Sequence, residues 1–121
     1  MGLGMILVLE NDVDTFDTIM IILTNAGFST RATKADRVLL DVATIEPDLL
    51  ILDHNPEAVT TGSGICQAIR SSVHVASLPI LLVSASHQLE EHAHAWNATA
   101  YISKPFDNTD FCNTVKDILS I

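Results

Sequence analysis

The chain has 121 residues, and 15 Asp and Glu against 6 Lys and Arg give it a formal net charge of −9. That balance argues against direct binding of a nucleic-acid backbone, which takes a basic patch. No apolar stretch reaches the ~18 residues needed to cross a membrane. With 48% hydrophobic residues the chain can build a core, and residues 1–121 are expected to form one domain. Met1-Gly2-Leu3-Gly4 lacks the basic start and long apolar segment of a secretory signal. Cys66 and Cys112 form neither a CxxC pair nor a metal spacing. Each falls on the apolar side of a predicted helix, so both are expected to be buried thiols in a reducing cytoplasm.

Five short apolar runs alternate with five segments of helical period. The first run, Met5–Leu9, is continuously apolar, as a strand covered on both faces should be. The helical segment after it carries Phe16, Ile19, Met20 and Leu23 at spacings of three and four and stops at Gly27, with Asp12 as its expected cap. Ser29–Ala32 is mixed in character and predicts an edge strand. A second helix is marked by Ala35, Val38, Leu39 and Val42, with Thr33 and Asp36 placed as a capping box. Leu49–Leu52 is again a buried run, followed by Ile65, Cys66 and Ile69 of a third helix. Ile80–Val83 precedes a fourth helix with Leu89, Ala93 and Trp96, and Asn97 stands where a left-handed cap would fall. Ala100–Ile102 and a last helix bearing Phe111, Val115, Ile118 and Leu119, capped by Asp107, complete the series. This strict alternation predicts an α/β fold, a single parallel five-stranded sheet with right-handed crossovers and helices on both faces.

Polar groups stand at four of the strand ends. Asp53 closes Leu49–Leu52, Glu10-Asn11-Asp12 follows the first run, Ser84 follows Val83, and Lys104-Pro105 follows Tyr101-Ile102-Ser103. In an open parallel sheet the site lies outside the carboxyl ends of the strands, so these groups should converge. The pocket would hold acids, a hydroxyl and a fixed cation around a candidate nucleophile, Asp53.

The segments ILVLEND (6–12), PDLLILD (47–53), LLVSA (81–85) and AYISKPF (100–106) together resemble the receiver domain of two-component response regulators, over nearly the whole chain. The resemblance implies a doubly wound, flavodoxin-like sheet of order 2-1-3-4-5. It also implies that Asp53 accepts a phosphoryl group from a histidine kinase or a phosphotransfer protein. Glu10 and Asn11 match the acidic pair that holds Mg²⁺ with Asp53, and Asn55 matches the position whose carbonyl completes the metal site. Ser84 matches the switch hydroxyl, Lys104 the family's lysine, Pro105 its cis-proline and Tyr101 the aromatic that turns inward on activation. The chemistry asks for such residues in its own right. A carboxylate nucleophile makes an acyl phosphate, the transferred group needs its charge neutralised, and Mg²⁺ prefers oxygen ligands.

Three departures accompany the resemblance. Asn11 replaces the second acid, so Glu10 and Asp53 against Lys104 leave a formal pocket charge of −1, and Mg²⁺ binding is expected to be weakened. Pro56 comes earlier after Asp53 than the family's proline, without its methionine, and Thr60-Thr61-Gly62-Ser63-Gly64 replaces the usual Asp-Gly. Ser84 to Lys104 spans 20 residues, shorter than is usual, which alters the family's signalling face.

The reading is therefore a phosphorelay receiver, not a free-standing enzyme, with slow self-hydrolysis of its aspartyl phosphate. Its partners would be a kinase or phosphotransfer protein, an output domain or downstream protein, and a second copy through the face of the fourth and fifth helices. The alternative is a degenerate receiver that works as a phosphorylation-independent interaction module. A flavodoxin-like ligand binder and a haloacid-type phosphatase are less well supported. The phosphatase would need an aspartate two residues past the nucleophile, where Asn55 stands. His87, His92 and His94 with Glu90 and Glu91 read as a solvated helix face, because no ligand set of metal spacing appears. His54 is either a gatekeeper beside Asp53 or a solvent-facing loop residue, and Trp96 is a core or semi-core anchor.

Overall fold

The computed structural model describes residues 4–9, 12–54 and 62–121. Its elements follow the predicted alternation: β1 (Met5–Leu9), α1 (Val13–Asn25), β2 (Ser29–Thr33), α2 (Val38–Ile45), β3 (Leu49–Asp53), α3 (Gly62–Arg70), β4 (Ile80–Ser84), α4 (Leu89–Ala95), β5 (Ala100–Ser103) and α5 (Asn108–Leu119). The strands form one parallel sheet in the order β2-β1-β3-β4-β5. β3 and β4 are buried along their whole length, which is what their unbroken apolar runs imply. The mixed run of β2 lies at the edge, mostly exposed.

Side chains alternate across each strand, so the sheet divides the core in two. Leu7, Leu50, Leu52, Ile80 and Leu82 pack with Val38, Val42, Ile65, Ile69, Leu89 and Ala93 of α2, α3 and α4. Ile6, Val8, Leu49, Ile51, Leu81 and Val83 pack with Ile19, Leu23, Phe111 and Val115 of α1 and α5.

Several local signals act where they were expected. Asp12 caps α1, accepting from Asp14 N at 3.3 Å. Gly27 takes φ 98° after α1, and Asn97 takes φ 60° after α4. The Asp107 carboxylate caps α5, accepting from Thr109 N at 2.7 Å and Asp110 N at 3.2 Å. Asp107→Ala would leave both amides without that acceptor. It is expected to lower unfolding free energy by about 1 kcal/mol, read from the urea midpoint.

The capping box at Thr33 and Asp36 does not form. Thr33 ends β2, α2 begins only at Val38, and Arg37 occupies the cap position without a side-chain cap bond. The Thr33 hydroxyl instead donates to Asp41 Oδ2 at 2.7 Å, and Arg37 approaches the same carboxylate at 3.6 Å. Asp41 is buried at the sheet edge, and a buried carboxylate without donors is far costlier than an uncapped helix start. Leu39, assigned to the apolar face of α2, is exposed.

Candidate functional site

The register brings three of the four polar strand tips side by side. Asp53 pairs with Val83, and Ser84 pairs with Ser103, the residue before Lys104. The ladder runs on past the strands: His54 N donates to Val83 O at 2.7 Å and Lys104 N to Ser84 O at 3.0 Å. β1 is flanked by β2 on one side and β3 on the other, so the strand order reverses beside the Asp53 tip. That reversal is the switch point at which doubly wound sheets bind ligands.

Lys104 Nζ lies 2.5 Å from Asp53 Oδ1 and 4.0 Å from Asp12 Oδ2. The Asp53 side chain is only 1% exposed, while Lys104 keeps 20% of its surface open to solvent. The predicted nucleophile and the predicted cation are thus in contact, and Asp12 both caps α1 and faces that cation. The Lys104–Pro105 peptide is cis. A groove of about 390 Å³, lined by Asp14, Thr15, Thr18, Ala85, Lys104 and Phe106, opens beside the lysine.

Burial pushes the Asp53 carboxyl above the ordinary carboxylate range, against the pull of the Lys104 ammonium. An acid whose folded pKa is raised holds more protons folded than unfolded. Its contribution to stability therefore falls as pH rises from the ordinary carboxylate pKa through the raised one. With divalent ions chelated, Asp53→Asn is expected to gain stability relative to the parent chain across that window and to keep the gain at higher pH. Urea titrations of both proteins at stepped pH test this, and parallel pH curves would contradict it.

Ser84 is fully buried, and its Oγ accepts from Ser86 N at 3.1 Å. Tyr101 lies on β5 and is exposed, with 44% of its surface open to solvent. Glu10, Asn11 and Asn55, the expected metal ligands beside Asp53, lie outside the described residues, as do Pro56 and Thr60-Thr61. The donor that is described suits the expected ion. A buried carboxylate pushed up by desolvation gains from an adjacent hard cation, and Mg²⁺ takes carboxylate oxygen. Among the described residues no group of three or more His, Cys, Asp or Glu side chains is placed to hold a metal, which removes His87, His92 and His94 as a set. The Cys66 thiol is buried and pushed up to about 11 by that burial, and Cys112 is half-buried; neither is disulfide-bonded.

The reading of His92 as part of a solvated face is corrected. His87, Glu90, Glu91 and His94 are exposed, but the half-buried His92 ring stacks on Trp96 at 4.6 Å and 6°. His54 meets both rings edge-on, at 5.6 Å from His92 and 5.1 Å from Trp96. Burial first, then His92, pushes the His54 imidazole below its usual range, with Asp53 opposing. The four-residue spacing of His92 and Trp96 on one helix was the available sequence signal for the stack. Nothing in the sequence tied either ring to His54.

The family model described as "Response regulator receiver domain" matches residues 6–116. The DNA-binding dual master transcriptional regulator RpaA of Synechocystis sp. (strain ATCC 27184 / PCC 6803 / Kazusa) is 27% identical over 117 residues, covering 94% of this chain and 48% of that protein. Protein RcaC of Microchaete diplosiphon is 26% identical over 113 residues, covering 91% of this chain and 17% of that protein. The chain thus spans about half the length of the first relative and a smaller part of the second. Among solved structures, a candidate response regulator from Chloroflexus aurantiacus J-10-fl superposes with a TM-score of 0.87 at 24% identity, covering 98% of both chains. That likeness bears on the fold.

Proposed function

Because the chain belongs to the response regulator receiver domain family, we propose that residues 1–121 form a receiver that takes a phosphoryl group onto Asp53 and thereby switches a protein-interaction face. The observation that carries the reading is the contact between the buried Asp53 carboxylate and Lys104 at the switch point of the sheet. A histidine kinase or phosphotransfer protein would supply the group. The P–N bond of its phosphohistidine breaks as an Asp53 oxygen bonds phosphorus, giving an acyl phosphate.

Each described residue has work in that transfer. Lys104 offsets charge on the attacking carboxylate and then on the phosphoryl oxygens. Ser84 accepts from Ser86 N and so keeps its own O–H as a donor for a phosphoryl oxygen. Asp12 holds the Lys104 ammonium from the α1 side. Mg²⁺, held by Asp53 with Glu10, Asn11 and Asn55, would neutralise the transferring group, more weakly than with two acids because Asn11 is neutral. Ser84 and the outward Tyr101 would then repack and bias the face of α4, β5 and α5, toward an output domain, a downstream protein or a second copy.

Family members are phospho-acceptors rather than free-standing enzymes, and slow hydrolysis of the acyl phosphate would be a side activity. No described helix is long and apolar enough to cross a membrane, and the phosphorelay role would be exercised in the cytoplasm without direct nucleic-acid contact by this domain. A phosphorylation-independent interaction module is the second reading, and Asn11 is the residue that favours it.

Intact-protein mass after incubation with acetyl phosphate decides between them. One phosphoryl adduct is expected with Mg²⁺, none with the metal chelated and none in Asp53→Ala. If the parent chain gains no mass and beryllofluoride leaves its spectra unchanged, the interaction-module reading replaces this one.

A further inference from the structure

Asp53 and His54 are consecutive at the end of β3, so their side chains leave the sheet on opposite faces. Asp53 continues the row of Leu49 and Ile51, which faces α1 and α5. His54 continues the row of Leu50 and Leu52, which faces α3 and α4. On that second face the His54 ring is wedged edge-on against His92 and Trp96, themselves stacked in parallel along α4. The first residue of α3 closes the wedge from behind. A Cβ on Gly62 would lie 3.0 Å from Trp96 Cζ3 and 3.5 Å from His54 Nδ1, so the rings use the space a side chain would occupy.

The C-terminal turn of α4, next to Trp96, is also held from α3. Arg70 donates from Nε to Asn97 O at 3.0 Å and from Nη1 to Ala76 O at 3.0 Å and Leu78 O at 2.6 Å. These bonds tie the turn after α4 to α3 and to the lead-in of β4. These bonds oppose sliding of that turn, so a shift of the β3 tip would be felt where His54 meets the ring stack.

We infer that His54, His92 and Trp96 form a ring relay that couples the Asp53 end of β3 to α4, a second route to the signalling face beside Ser84 and Tyr101. The inference rests on the proposed phosphorylation of Asp53. In this relay His54 and His92 are positioning residues acting through packing. What His92 contributes is a flat ring on Trp96, so an aromatic replacement preserves the function and a truncation removes it. Coupling is reciprocal: if loading Asp53 shifts the stack, then altering the stack changes how readily the Asp53 pocket is loaded.

Trp96 is the chain's one tryptophan, so its emission reports the stack without labelling. Beryllofluoride with Mg²⁺ would be titrated into the parent chain, His92→Ala, His92→Phe and Asp53→Ala, with occupancy followed independently by the fluorine resonance of the bound ion. The relay predicts that Trp96 emission changes in step with occupancy in the parent chain and in His92→Phe, and stays constant in Asp53→Ala. His92→Ala should lose the emission change and move half-saturation by about five-fold or more. Occupancy without any Trp96 response in the parent chain would overturn the relay and leave the phospho-acceptor reading intact. That arm needs no variant, so the result stands even if His92→Ala folds poorly. Equal half-saturation in His92→Ala and the parent chain would also overturn it. If the parent chain binds no beryllofluoride and gains no phosphoryl mass, the phospho-acceptor reading fails and the relay fails with it.

Discussion

Lys104→Ala is expected to slow phosphoryl uptake from acetyl phosphate by about 100-fold or more, the usual consequence of deleting one group that stabilises charge at the reacting centre. Two effects act in the same direction. The transferring phosphoryl loses the cation that meets Asp53 Oδ1 at 2.5 Å. Asp53, whose carboxyl burial pushes up, also loses the ammonium that pulls it back down, so its carboxylate form is disfavoured further. Raising the pH should recover the second loss and leave the first. Lys104→Arg should rescue only in part, because a planar guanidinium does not reproduce a compact ammonium against an Asp53 carboxylate that is 1% exposed. Initial rates of adduct formation by intact mass, taken across pH at fixed Mg²⁺, separate the two terms. A rate within about three-fold of the parent chain would remove Lys104 from the transfer.

Phe111→Ala carries the largest expected loss of stability. Phe111 of α5 is fully buried against the sheet and α1, in the cluster with Ile19, Leu23, Leu81 and Val83, and its ring lies 4.8 Å from Phe106. Removing a fully buried aromatic ring costs about 3–5 kcal/mol through lost transfer energy and the cavity left behind. Domains of this kind have about 5–15 kcal/mol in total, so the variant should be partly unfolded near physiological temperature if the parent sits at the lower end of that range. Phe111→Leu keeps much of the volume and should lose far less. Thermal and urea midpoints read both. While folded in the cold, Phe111→Ala should still take up phosphoryl, because Asp53 and Lys104 keep their own contact. A loss of uptake without a loss of stability would contradict that separation.

Much of this protein follows from rules that operate over a few residues. The apolar runs of β3 and β4 specify strands covered on both faces, and the mixed run of β2 specifies an edge. Asp12 and Asp107 cap the helices that follow them, and Asn97 takes the left-handed turn after α4, because each acts on amides or dihedrals within four residues of itself. The polar tips Asp53, Ser84 and Lys104 could be named from strand ends alone, because a parallel sheet sets all its carboxyl ends along one edge.

Only the tertiary structure decided the pairings between segments far apart in the chain. Thr33 had the local makings of a cap, yet it bonds Asp41, since packing at the sheet edge buries that carboxylate and the nearest hydroxyl must satisfy it. His92 had the neighbours of a solvated face, yet it is half-buried, since the tip of β3 presents His54 to that side of α4. The Lys104 ammonium meets both Asp53 and Asp12 because β3, β5 and the start of α1 end at one place. Backbone propensity and capping are short-range and can be read along the chain. Burial and the choice of hydrogen-bond partner depend on what packs from across the sheet, and that is settled only when the layers close.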